Sequence, residues 1–177
     1  MSTVLLISET TLKKYTVIND NVDACYITPS IVSAQDIGLQ PLIGSVLYAK
    51  LCDLVMQAQQ QQGTGIDDPA NEDYKVLLDE YVTKYLCHKV TAELHWALLA
   101  KLRNNGIVTS ADQQTQQMSM ENCELLRKHY DQQAIFYGKR MTDYLCANAD
   151  KYPEWKQRNT VADIKADSEA YNTGIVL

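Results

Sequence analysis

Phenylalanine occurs once in these 177 residues, beside eleven tyrosines, and histidine only three times. Basic charge is scarce as well: 16 Lys and Arg against 22 Asp and Glu leave a formal net charge of −6. Lys13-Lys14 and Lys139-Arg140 are isolated pairs, so the basic patch that tight nucleic-acid binding needs to neutralise phosphates is missing. No run of about 18 consecutive apolar residues occurs, which excludes a membrane-spanning helix and a membrane partner. The N-terminal residues lack the charged start and apolar core of a secretory signal, and there is no Asn-x-Ser/Thr acceptor. Five cysteines (Cys25, Cys52, Cys87, Cys123, Cys146) are an odd number with no CxxC, so neither a zinc site nor a disulfide framework is signalled. Reduced, mostly buried thiols in a cytoplasmic context are expected.

What remains is a soluble-type composition, 46% hydrophobic and 21% charged, in a chain long enough for one domain with a real core. Tyrosine joins apolar area to a polar tip, which suits half-buried helix faces and subunit interfaces. Residues 27–59 read as two amphipathic segments hinged at Gly38-Leu39-Gln40-Pro41. Ile27, Ile31, Ala34 and Gly38 share one helical face, and Val46 or Leu47, Leu51, Leu54 and Val55 repeat the pattern. Ala34, Gly38 and Gly44 are small enough to let other helices approach closely. Ser8 is a candidate N-cap for a brief helix through Tyr15, and Pro29 either starts or kinks the segment that holds it.

A glutamine run at 59–62 ends at Gly63. A long helix is expected from about Asn71 to Arg103, closed by a left-handed cap at Asn104-Asn105-Gly106. Residues 107–109 are β-prone but too few to make a sheet alone. Residues 110–117 are polar and are expected to be a flexible loop. Ser119 caps a second long helix on which Leu126, Tyr130, Ala134, Tyr137, Met141 and Tyr144 step at nearly heptad spacing. It should pack antiparallel on the first and stop at Tyr152-Pro153. Helical periodicity is lost after that. The fold expected is an all-α helical bundle of four to five helices, with two long antiparallel helices, over residues 1–156. Residues 157–177 form an extended C-terminal arm. Its apolar end needs covering, either by its own bundle or by a neighbour through strand addition.

Catalytic chemistry has little support. His88 and His95 lie seven apart on one helix face beside Cys87, whereas a metal pair is more usually spaced i, i+4 with a carboxylate nearby. A cysteine nucleophile would need a histidine partner and an orienting group, and no local signature provides one. The acids are spread over helix faces without a pair in an apolar setting. No catalytic, metal or cofactor residues are therefore assigned, and no cofactor is expected.

Three pieces carry a resemblance: IVSAQDIGLQPLIGSVLYAKL at 31–51, NNGIV at 104–108, and YGKRMTDYLCANADKYPEW at 137–155 with the terminal YNTGIVL. The chain resembles head–tail connector (adaptor or head-completion) proteins of tailed bacteriophages, including crAss-like phages of Bacteroidetes hosts. That resemblance implies a structural virion protein without enzymatic activity. It would form a homo-oligomeric, dodecameric ring below the portal protein, extend the DNA channel and dock the tail or further ring proteins. DNA would pass through the lumen without specific binding, which suits an acidic wall. The resemblance places the subunit in the host cytoplasm during assembly and in the virion afterwards. It makes the C-terminal arm the partner-binding element, with Tyr171, Asn172, Gly174, Ile175, Val176 and Leu177 as its anchors. The alternatives are another ring, tail-completion or gatekeeper protein of the same virion, or a small helical enzyme using Cys87, His88 and His95.

Overall fold

Where the chain is punctuated decides how its helices pack. The computed structural model describes residues 4–18, 21–103, 106–109 and 119–156, and over these the protein is an all-α helical bundle with one short hairpin. The 110–117 loop and the 157–177 arm lie outside the described residues. Helix α1 (Glu9–Tyr15) is capped by Ser8, whose Oγ accepts from Thr11 N at 3.0 Å.

Helix α2 (Ala24–Ser33) contains Pro29 and runs without a break through a π-helical segment (Ala34–Leu39) into α3 (Gln40–Ile43). The hinge expected at Gly38-Leu39-Gln40-Pro41 is thus continuous helix. Pro41 has no N–H for the carbonyl four residues back, and the turn before it widens so that Gln40 N bonds Gln35 O instead. The true break is Gly44, at φ 78°, a conformation that costs a glycine little. Gly44 is therefore a turn residue, and it is buried. Gly38 does serve as one: a Cβ there would lie 2.7 Å from Tyr85 Oη. Helix α4 (Ser45–Gln60) buries Leu47, Leu51, Leu54 and Val55, the face its spacing predicts.

Helix α5 (Glu72–Leu77), a second π-helical segment (Leu78–Val82) and α6 (Thr83–Leu99) form one continuous rod. A π turn accommodates one extra residue and so rotates the apolar face downstream of it. Leu77 and Leu78 face the core above the turn, and Leu86, Cys87, Val90 and Leu94 below it, whereas Trp96 is 45% exposed.

The rod stops at Leu99, short of the expected end. Residues 100–103 form strand β1 (Ala100–Arg103), paired antiparallel with β2 (Gly106–Thr109), with Arg103 opposite Gly106. Residues 100–103 are thus strand and not the last turn of a helix, and Asn104 and Asn105 of the expected cap lie outside the described residues. The β-branched 107–109 run found a partner in the end of the expected helix.

Helix α7 (Met120–Ala147) is capped by Ser119, whose Oγ accepts from Asn122 N, and it returns antiparallel along the α5–α6 rod, as predicted. It ends at Ala147, before the proline; Pro153 instead opens the short α8 (Pro153–Lys156). Tyr152 and Trp155 are buried between these elements and complete the core with Leu12, Ile31, Leu51, Leu86, Met141 and Leu145.

Candidate functional site

The antiparallel rods meet in a ladder of rings. Tyr74 contacts Tyr152 edge-on at 5.5 Å, Tyr81 stacks on Tyr144 at 4.2 Å, and His88 stacks on Tyr137 at 5.0 Å and 4°. His95 meets Tyr130 at 5.5 Å. Polar tips are tied off along the way: Tyr152 Oη donates to Asp73 O at 2.9 Å and Tyr74 Oη to Glu154 Oε2 at 2.7 Å. Desolvation raises both tyrosines well above the usual phenol range. This seam uses six of the eleven tyrosines, whose rings bury area while the hydroxyls of Tyr74, Tyr144 and Tyr152 still find partners.

The Cys87, His88 and His95 group divides between different jobs. Cys87 is buried, and burial pushes its thiol up to about 11, so at neutral pH it is a packed thiol and not a nucleophilic thiolate. His95 donates from Nδ1 to the Thr91 carbonyl at 2.6 Å. His88 presents a buried Nδ1 with no hydrogen-bond partner among the described residues. Burial holds its pKa below the usual imidazole range; a Gln133 side-chain contact opposes the shift and the nearby His129 adds to it. Among the described residues no three His, Cys, Asp or Glu side chains are grouped to hold a metal.

A second constellation was not read from the sequence. Gln35, fully buried in the first π segment, accepts from Leu6 N at 2.8 Å and donates to Val4 O at 3.0 Å and to Tyr48 Oη at 3.2 Å. Tyr48 Oη in turn donates to Asp36 Oδ1 at 3.0 Å. One side-chain amide thus pins the N-terminal segment to the bundle, satisfying backbone groups that would otherwise be buried unpaired. The signal was a glutamine on the apolar side of a helix pattern; without the π turn its direction is not predictable. Beside the clamp an open groove of about 1030 Å³ runs between Leu5, Leu6, Ile7, Lys14, Asp79 and His88. It has mixed polar and apolar walls and no convergent set of reactive groups.

The third feature is the outer surface of the α6–α7 pair, from its middle to its far end. Trp96, Leu98, Met120, Leu125, Ile135 and Phe136 are all exposed there, Leu125 and Phe136 at 64%. The only phenylalanine of the chain is therefore on the outside, while six of the tyrosines line the seam. Leu125 and Phe136, eleven residues apart, share one face of α7, and exposed large apolar side chains that share a face mark an interaction site more often than a plain surface.

The anchors expected from sequence, Tyr171, Asn172, Gly174, Ile175, Val176 and Leu177, lie outside the described residues, and none of the constellations above involves them. No helix among the described residues is long and apolar enough to cross a membrane. Neither a curated protein nor a solved structure matches the chain. One family model does, over residues 39–164, from the end of the first π segment to beyond α8. With more than half of its length matched, the chain belongs to that family, which is described as a family of unknown function (DUF6712).

Proposed function

We propose that the protein is a structural virion subunit, a head–tail adaptor that assembles as a homo-oligomeric ring between portal and tail of a tailed bacteriophage. The identification rests on the resemblance of residues 31–51, 104–108 and 137–155. The observation that carries the assembly part is the exposed apolar set around Leu125, Ile135 and Phe136, a surface that an isolated chain leaves in water. The residues behind the resemblance are largely scaffold: Gln35 and Tyr48 of the clamp, Gly44 at the turn, and Tyr137, Tyr144 and Tyr152 of the ring ladder. A scaffold of this kind presents surfaces to partners and needs no reactive group. In this reading the portal and the next tail-side protein bind its two ends. Tyr171, Asn172, Gly174, Ile175, Val176 and Leu177 anchor the arm on a neighbour, and DNA passes through an acidic lumen.

The test is the mass and symmetry of the purified protein, alone and mixed with portal. A closed ring of many copies is expected, and removal of residues 171–177 should block its assembly while leaving the helical circular dichroism intact. A protein that stays monomeric, with portal and without it, contradicts the reading.

A further inference from the structure

The outward face of α7 carries Leu125, Lys128, Gln132, Phe136 and Lys139 at steps of three, four, four and three, one stripe over about 20 Å. All five are exposed, and the two acids of α7 between Glu121 and Asp143, Glu124 and Asp131, are half-buried and paired with Arg127 and Lys89. Lys128 reaches Glu124 only at 3.8 Å, and Lys139 has no ion-pair partner among the described residues. Arg140 is already engaged, lying over the Tyr81 ring at 5.2 Å. On a chain of net charge −6 this is a basic, apolar face.

Its complement lies at the other end of the rod pair. Glu72, Val76 and Asp79 share an exposed face of α5 and the second π segment, with Val76 38% exposed. Neither Glu72 nor Asp79 has a cation within ion-pair distance among the described residues, whereas Asp73 and Glu80 are taken by Lys151 and Lys84. The antiparallel rungs fix the separation. Val76 lies beyond the Tyr81–Tyr144 rung and Leu125 beyond the His95–Tyr130 rung, and the two rungs are about 20 Å apart along the rod. One chain cannot bring its own two faces together.

We propose that the Leu125, Lys128, Gln132, Phe136 and Lys139 stripe docks on the Glu72, Val76 and Asp79 face of a second copy, head to tail. The inference rests on the ring reading above and names the surfaces that build it. The contact is heterologous: each copy offers one basic and one acidic face, so pairing leaves a free face at each end until the chain of copies closes. Phe136 and Val76 supply the apolar centre, and the lysines and acids on either side set orientation and suppress the wrong pairing. A second copy is favoured over nucleic acid because two lysines, one of them already beside Glu124, on an acidic protein neutralise little phosphate.

The experiment is a pair of charge reversals in the full chain, read as molar mass by light scattering at matched concentration. Lys128→Glu with Lys139→Glu places acid against acid; Glu72→Lys with Asp79→Lys places base against base. Each double variant should associate at least about tenfold more weakly than wild type. Mixing the two should restore assembly, because each junction of an alternating ring then pairs opposite charges. If wild type assembles and both variants assemble equally well, the surface assignment falls while the ring reading stands. A wild type that stays monomeric removes both. Loss of binding to a DNA duplex in the lysine variant, with its mass unchanged, overturns the assignment in favour of a nucleic-acid face.

Discussion

The two halves of α7 carry the same heptad-like pattern in different surroundings. From Ala134 onward the helix buries Ala134, Gly138, Met141, Thr142 and Leu145, because α3 and the second π segment cover it in addition to α6. From Met120 to Gln133 no residue is buried, and the seam positions Leu126 and Tyr130 are only half covered. A regular apolar seam thus fixes which helix α7 lies against, and a further layer of protein decides whether it enters the core. The first half has its rungs, His95 on Tyr130 and Lys89 to Asp131 at 2.9 Å, but it projects from the bundle with its outer apolar residues in water.

The contrast can be broken most forcefully in the enclosed half. Leu145→Ala should lower the unfolding free energy by about 2–5 kcal/mol, as deletion of a fully buried side chain does where surroundings relax only partly. Denaturant titration measures it; a loss of only a few tenths would mean that this half is no more enclosed than the other. The next effect belongs to the clamp. Gln35→Ala leaves Leu6 N and Val4 O without their partner and should cost about 1–3 kcal/mol. It should also raise amide exchange at Leu6 selectively, and unchanged exchange there would argue against the clamp.

A smaller effect sits where the two halves meet. His88 has its imidazole pKa depressed by burial between the rods, so the folded state binds fewer protons than the unfolded chain, whose value is near the ordinary 6.5. Stability should therefore be level above that value and fall as pH drops through it toward the folded pKa. His88→Gln should flatten the stability profile between pH 7.5 and 5; a variant with the same slope as wild type would place the pH dependence elsewhere.

Much of the bundle was legible because its signals are local. The Ser8 and Ser119 caps, the Leu47, Leu51 and Leu54 face and the antiparallel pairing of the long helices all follow from spacing and capping chemistry. Both π segments were not, since a single widened turn leaves no compositional mark beyond Pro41, and each one rotated the faces that followed it. In the second rod Trp96 came out exposed, whereas Cys87, Val90 and Leu94 came out buried. The hairpin escaped because helix-prone residues 100–103 were claimed by a β-branched partner close in sequence. Of the interaction surface, the lone phenylalanine and the lysines were visible in the sequence, but their placement on the uncovered side of α7 depends on which elements cover the other sides.

The smallest effect on folding should accompany a large effect on assembly, and it tests the central claim, that the outward face of α7 is an interface. Phe136→Ser removes an exposed side chain and should change unfolding free energy by no more than about 0.5 kcal/mol. The decisive measurement is the molar mass of this variant beside wild type at the same concentration. A multi-copy wild type and a variant shifted to smaller species is the result predicted; identical masses for the two would contradict it.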